Sequence, residues 1–175
     1  MRKLKLDLDR VFRRNVGEAL EEFFDKLRGL HDRPGHGGYF TIADGRTGYA
    51  FLSEGIGEVE EEKSPRFQLN SAEEKPRRLA QHPEHMSSWQ SADLDLPSDQ
   101  RKKFAGAVRC GDYIFSFSGL PEMLDEAVVL VVAVMSGELH KDAAMAMAKM
   151  SSNEFYAKVL AIATTSRDYQ QREGI

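Results

Sequence analysis

A single cysteine, Cys110, occurs in the 175 residues, so no disulfide can form within the chain; that suits a reducing compartment, and a cytoplasmic location is the expectation. No apolar run is long enough to cross a bilayer. The longest, Ala127 to Met135, falls far short of the roughly 20 residues that a membrane helix needs. The basic start MRKLKLDLDRVFRR lacks the apolar stretch of a signal peptide. Positive charge is not in excess either: 24 Lys and Arg stand against 28 Asp and Glu, a net charge of −4, which gives no electrostatic reason to expect nucleic acid. The serine-nucleophile pattern Gly-x-Ser-x-Gly is absent, and no complete catalytic or metal motif is present.

What remains is a soluble globular composition, 41% hydrophobic and 30% charged, in a chain long enough to bury a core without disulfides or metals. We read residues 1–175 as one domain, with a sheet-and-helix core over 1–137 and a helical extension over 138–175.

The first element is an amphipathic helix over Asp7 to Leu30, with apolar residues from Leu8 to Leu30 at steps of three and four. Its basic start offers a contact to an anionic partner, and a solvated helix start is the plainer reading. His31 to Gly38 is a loop. Its His36-Gly37-Gly38 resembles oxyanion-type loops, but simple loop flexibility explains it without a nucleophile. Tyr39 to Ala43 and Tyr49 to Leu52 predict a hairpin turning at Asp44-Gly45, and the acidic residues Glu54 to Glu62 that follow read as a solvated loop. Ser71 and Glu74 have capping-box spacing, and Pro76 limits the helix interior. A short helix is therefore expected to start between Glu73 and Pro76 and to end before Pro83, with loop from His82 to Asp95. Phe104 to Val108 and Tyr113 to Ser118 predict a second hairpin turning at Cys110-Gly111-Asp112, with Ile114, Ser116 and Ser118 on one face and Tyr113, Phe115 and Phe117 on the other. Pro121, Glu122 and Asp125 suit a helix start, and the helix from Met123 to about Ser136 is apolar on nearly every side, hence buried against the sheet and a further element. Helices over Lys141 to Met150 and Asn153 to about Thr164 complete the chain, the latter opened by the capping-box pair Ser151 and Glu154; the end from Arg167 reads as frayed. The fold class is α+β, an antiparallel sheet built from two β-hairpins with helices packed on it and extra C-terminal helices.

Five places carry chemistry. His82-Pro83-Glu84-His85 sets two imidazoles three residues apart with Met86 beside them. As neighbours on one face they are metal ligands, or His82 or His85 is an axial ligand to haem iron; Pro83 speaks against a continuous helix, and an exposed loop is the plainer reading. At the strand–helix joint, Ser116, Ser118, Gly119, Glu122, Asp125 and Glu126 gather where a helix start presents unpaired backbone N–H groups to an anionic ligand, unless the joint caps itself. Asp125 and Glu126 as an acid–base pair suffer from adjacency, because neighbouring helical residues do not face one another. Cys110 has no base nearby in sequence to activate it. Met145, Met147, Met150, Met123 and Met135 line a soft pocket or, more simply, a core or interface.

The order helix, hairpin, short helix, loop, hairpin, helix, together with KFAGAVRCGDYIFSFSGLPEMLDEAVVLVVA, resembles the GlcG/HbpS-like family, which includes the C-terminal domain of PduO-type corrinoid adenosyltransferases. Ser118-Gly119 matches the Ser-Gly pair that ends the family's final strand. Asp125-Glu126, followed by Ala127, matches its acidic pair, and Lys75 with Ala80 its Lys-Ala segment. The likeness spans about Phe12 to Gly137 and is strongest over 104–137; residues 138–175 extend beyond it. It implies a small-ligand-binding module, the ligand haem or a corrinoid, often in an oligomer, so a homo-oligomer is expected. The ligand-binding residues would be Ser118, Gly119, Glu122, Asp125 and His85, and the metal ligands His82 and His85. No catalytic residue is assigned. The alternative is a structural or interaction protein that assembles through its apolar helices and takes no small ligand.

Overall fold

The computed structural model describes residues 23–32, 37–97 and 99–172. Most of the expected first helix, the centre of the His31 to Gly38 loop with His36, and residues 173–175 lie outside that range. Four antiparallel strands form one sheet: β1 (Gly38–Asp44), β2 (Ala50–Ile56), β3 (Ala107–Cys110) and β4 (Tyr113–Ser118), in the order β2-β1-β4-β3. The two hairpins lie side by side. Their inner strands pair from Tyr39↔Ser118 to Asp44↔Tyr113, which closes a long loop and makes one sheet of two locally encoded pieces. Among the described residues no helix is long and apolar enough to cross a membrane.

Period-two alternation gives the sheet two unlike faces. Phe40, Ile42, Val108, Cys110, Phe115 and Phe117 share one buried cluster with Phe23, Phe24 and Leu27 of the helical residues 23–27 (α1). The Phe24 ring stacks on Phe117 with centroids 5.5 Å apart. The other face is small and polar, with Thr41, Ala43, Ala107, Ile114 and Ser116 all buried. The helical segment from Ser64 to Gln81 covers it: Leu79 packs on Ala43, Ala107 and Ile114, and the Ser71 hydroxyl donates to the Tyr39 carbonyl at 2.7 Å and lies 3.0 Å from Thr41 Oγ1.

That segment is longer than expected. It runs as α2 (Ser64–Leu69), a π-helical turn at Asn70–Glu74 and α3 (Lys75–Gln81). Pro65 rather than Pro76 stands at its start, so Ser71 and Glu74 are interior residues, not a capping box. Pro76 is accommodated because the turn before it widens, with the Lys75 N–H bonding back to the Asn70 carbonyl. A proline ring inside a regular α-helix would meet the carbonyl four residues earlier, and a π-turn relieves that crowding. β2 likewise extends past Leu52 to Ile56. Glu54 is tolerated there because β2 is an edge strand with an exposed face. In the second hairpin Phe104 to Gly106 remain outside β3, which starts at Ala107, and the turn is Gly111-Asp112.

Helix α4 (Glu122–Met135) is buried without interruption from Leu124 to Val131, as a helix apolar all round requires. The sheet lies on one side, and α5 (Lys141–Met150) and α6 (Phe155–Arg172) on another. The extra C-terminal helices thus cover α4 within the same fold. Helix α6 continues to Arg172, beyond the expected end near Thr164. Its start is capped by Asn153, whose Oδ1 accepts from the Phe155 N–H at 3.0 Å. Ser151 is drawn inward, so the capping box with Glu154 does not form.

The exposed edge of β3 is partly covered by the loop after α3. Ser87 forms a bridge with Val108, and the Arg109 N–H donates to the Met86 carbonyl at 2.8 Å. A 3-10 turn at Ser88–Ser91 follows within a stretch expected to be irregular, started by a Ser87–Gln90 capping box. This docking fixes where the residues just before it, His82 to Met86, emerge.

Candidate functional site

The strand–helix joint is held from within. Asp125 is buried, and its Oδ1 accepts from the Leu120 N–H at 2.8 Å, so the joint caps itself. Its Oδ2 pairs at 3.1 Å with Lys75 Nζ, which also donates to the Phe117 carbonyl at 2.6 Å. Lys75 is fully buried, so this ion pair ties α3 on one face of the sheet to α4 on the other. Gly106 makes room for it: at φ 108 a side chain is strained, and an added Cβ would stand 2.8 Å from Lys75 Nζ. Ser118 is buried in the last pair of β1 and β4. Gly119 lies against the backbone of Gly37 and Gly38, with the Gly37 carbonyl oxygen 2.2 Å from where a Cβ would be. Glu122 forms an ion pair with Arg101 and accepts from the Ala105 N–H at 3.0 Å.

Glu126 turns away from Asp125 into a second internal network. Fully buried, its carboxylate accepts from the Ser87 hydroxyl, from Ser151 Oγ at 2.5 Å and from Asn153 Nδ2 at 2.9 Å. One side chain thereby fixes the loop after α3, helix α4 and the α5–α6 connection. Lys75 and Asp125 meet directly.

His82 and His85 are brought together by a route other than a helix. Helix α3 ends at Gln81, and His82 to His85 form a β-turn closed by the His85 N–H donating to the His82 carbonyl at 2.9 Å. Pro83 occupies the second position of that turn, where its fixed φ is favourable. The two imidazoles stack at 4.8 Å between centroids and 15° between planes. Glu84 Oε1 sits between them, 3.1 Å from His82 Nδ1 and 3.5 Å from His85 Nε2. The Glu84 backbone N–H and the His82 ring hold that carboxyl below its ordinary pKa, so it is anionic at neutral pH. Among the described residues, the buried His85 Nδ1 has no hydrogen-bond partner.

Arg109 fixes the turn's backbone. From β3 its guanidinium donates to the carbonyls of His85 (3.2 Å), Gly45 (2.6 Å), Leu79 (2.6 Å) and His82 (3.4 Å). A planar fork of donors suits this better than a lysine would. The pair of histidines was legible in the sequence. Glu84 and Arg109 carry weaker sequence signals: x-Pro-x-x marks a turn, and Arg109 is the only charged residue of β3.

Beside the turn, a cleft of about 460 Å³ is lined by Leu69, Glu73, Arg77, Gln81, His82 and Lys103, among others. Arg77 is positioned over the Tyr49 ring at 5.2 Å and pairs with Glu73 at 3.1 Å. A second, larger groove of about 870 Å³ runs along α5 and α6, where Met145 is exposed. Of the other methionines, Met147 is core, and Met135 and Met150 are exposed. Cys110 is buried under the sheet, which pushes its pKa up to about 12; it stays a thiol at neutral pH and makes no nucleophile. Compared with known proteins, the chain matches no family model, no curated protein and no solved structure.

Proposed function

We propose that the protein is a small-ligand-binding module whose ligand, a metal-centred tetrapyrrole of the haem or corrinoid class, lies in the cleft beside the His82–His85 turn. The observation that carries this reading is the placement of His82 on the wall of a cleft that also presents Arg77 and Lys103. An imidazole offers an axial donor to the metal, and Lys103 offers a cation to an acidic side group of the ligand, beside Arg77, which already pairs with Glu73. The resemblance to the GlcG/HbpS-like family over residues 104–137 supports the same ligand class. The joint at Ser118, Gly119, Glu122 and Asp125 then serves as scaffold, since its two carboxylates, Glu122 and Asp125, are engaged by the chain itself. Titrating the purified protein with haem should shift the Soret band, and His82→Ala or His85→Ala should weaken the binding. A wild-type protein that leaves the Soret band unmoved removes the proposal.

The groove along α5 and α6, with exposed Met145, favours a second reading in which a second copy of the chain packs there and the protein is an assembly module. Light scattering that returns a monomer mass at high micromolar concentration excludes it.

A further inference from the structure

We infer that the turn itself, through His82, Glu84 and His85, is a chelating site for a divalent transition-metal ion of the zinc class, with one coordination position left to water or an outside donor. The site shares the His82 imidazole with the cleft proposal but needs no tetrapyrrole to form. Three ligand atoms, two imidazole nitrogens and a carboxylate oxygen, lie within 4.8 Å of one another. A tetrahedral site with bonds of about 2.0–2.1 Å has ligand–ligand edges of about 3.3 Å. The two edges through Glu84 Oε1 measure 3.1 and 3.5 Å. The rings stack at 15°, so their in-plane lone pairs converge on one ion, and the remaining edge closes, only when His82, whose side chain is 44% exposed, rotates out of the stack.

The donor set selects the ion. Two nitrogens and one oxygen suit zinc, nickel or copper and are poor for magnesium or calcium, which take oxygen. The site is also rigid where rigidity counts. The turn is closed by its own hydrogen bond, and Arg109 holds the carbonyls of both histidines, so little backbone ordering is left for binding to accomplish.

The test is isothermal titration of protein bearing no polyhistidine tag with Zn²⁺, repeated with Co²⁺ and read by visible absorption for a tetrahedral site. One ion per chain is expected. The double variant His82→Ala/His85→Ala should lose about a hundredfold or more in affinity and Glu84→Gln about tenfold, on the scale by which ligand-shell changes act. Glu62→Gln, an exposed acid remote in sequence, should change nothing. Circular dichroism of the double variant confirms that the fold is intact. Wild-type uptake well below one ion per chain, or equal affinity in the double variant, overturns the inference. A Soret shift without zinc uptake sinks this site and leaves the cleft proposal standing; zinc uptake without a Soret shift does the reverse.

Discussion

The polar groups around Asp125 and Glu126 and those of the His82–His85 turn are held in opposite ways. Around α4 the side chains are the fixed parts. Lys75, Asp125 and Glu126 are buried, and each is tied by hydrogen bonds to two or three other elements of the same chain. At the turn the backbone is fixed, by Arg109 and by the turn's own bond, while the His82 ring and the Glu84 carboxylate reach solvent, His85 is partly exposed, and the three side chains meet one another. Burial in the first case demands that every charge be compensated, because an unpaired charge in the interior is costly. The second arrangement orients donors without consuming them. The contrast separates residues that build the molecule from residues that can meet something outside it.

The sharpest way to break that contrast is to remove one member of the buried pair. Asp125→Ala leaves the Lys75 ammonium without its counter-charge and the Leu120 N–H without its acceptor. The expected loss is about 3–5 kcal/mol of unfolding free energy, read as a fall in the urea midpoint at unchanged slope. Lys75→Met in the Asp125→Leu background should restore part of it, since two apolar groups leave no buried charge. A loss below about 1 kcal/mol for Asp125→Ala would mean that the joint is not the structural tie described above, and its residues would return as ligand candidates.

How far the sequence reaches follows the same division. Strand alternation in Tyr113 to Ser118 and the apolar run after Met123 are local patterns, and they place β4 and α4 correctly. The pairing of β1 with β4 joins residues far apart in the chain, and no local pattern encodes it. Two capping boxes were misread for one reason: Ser71 and Ser151 have the right spacing to a glutamate, but each hydroxyl finds a better partner in the core, Tyr39 and Thr41 for one and Glu126 for the other. At the site, the spacing of His82 and His85 is visible, and Pro83 brings them together as a turn former rather than only excluding a helix. Arg109 reaches the turn through the tertiary fold, and only its charge in an otherwise apolar strand marks it in the sequence.

A smaller effect is expected at Glu126, where the geometry can be kept and one acceptor removed. Glu126→Gln replaces a carboxylate oxygen with an NH₂ group that cannot accept from Ser87, Ser151 or Asn153. The cost should be about 1–3 kcal/mol by urea unfolding. Amide exchange should speed up in the Ser87 loop and at the α5–α6 connection together, because one side chain serves both. Exchange that rises in only one of the two would show that Glu126 does not couple them.

The smallest change in stability, and the most informative, belongs to the turn. His82→Ala should move the unfolding free energy by no more than about 0.5 kcal/mol, the range of surface substitutions, and His85→Ala, where the lost side chain is 19% exposed, by no more than about 1 kcal/mol. Loss of the ring stack is opposed in His85→Ala by removal of a buried nitrogen that has no partner among the described residues. The turn survives because its closing bond and the Arg109 contacts use backbone atoms, which alanine keeps. Stability near wild type combined with lost haem or zinc binding marks the imidazoles as donors to a ligand. A cost approaching that of Asp125→Ala would instead make them part of the scaffold, and the distinction between the two regions would fall.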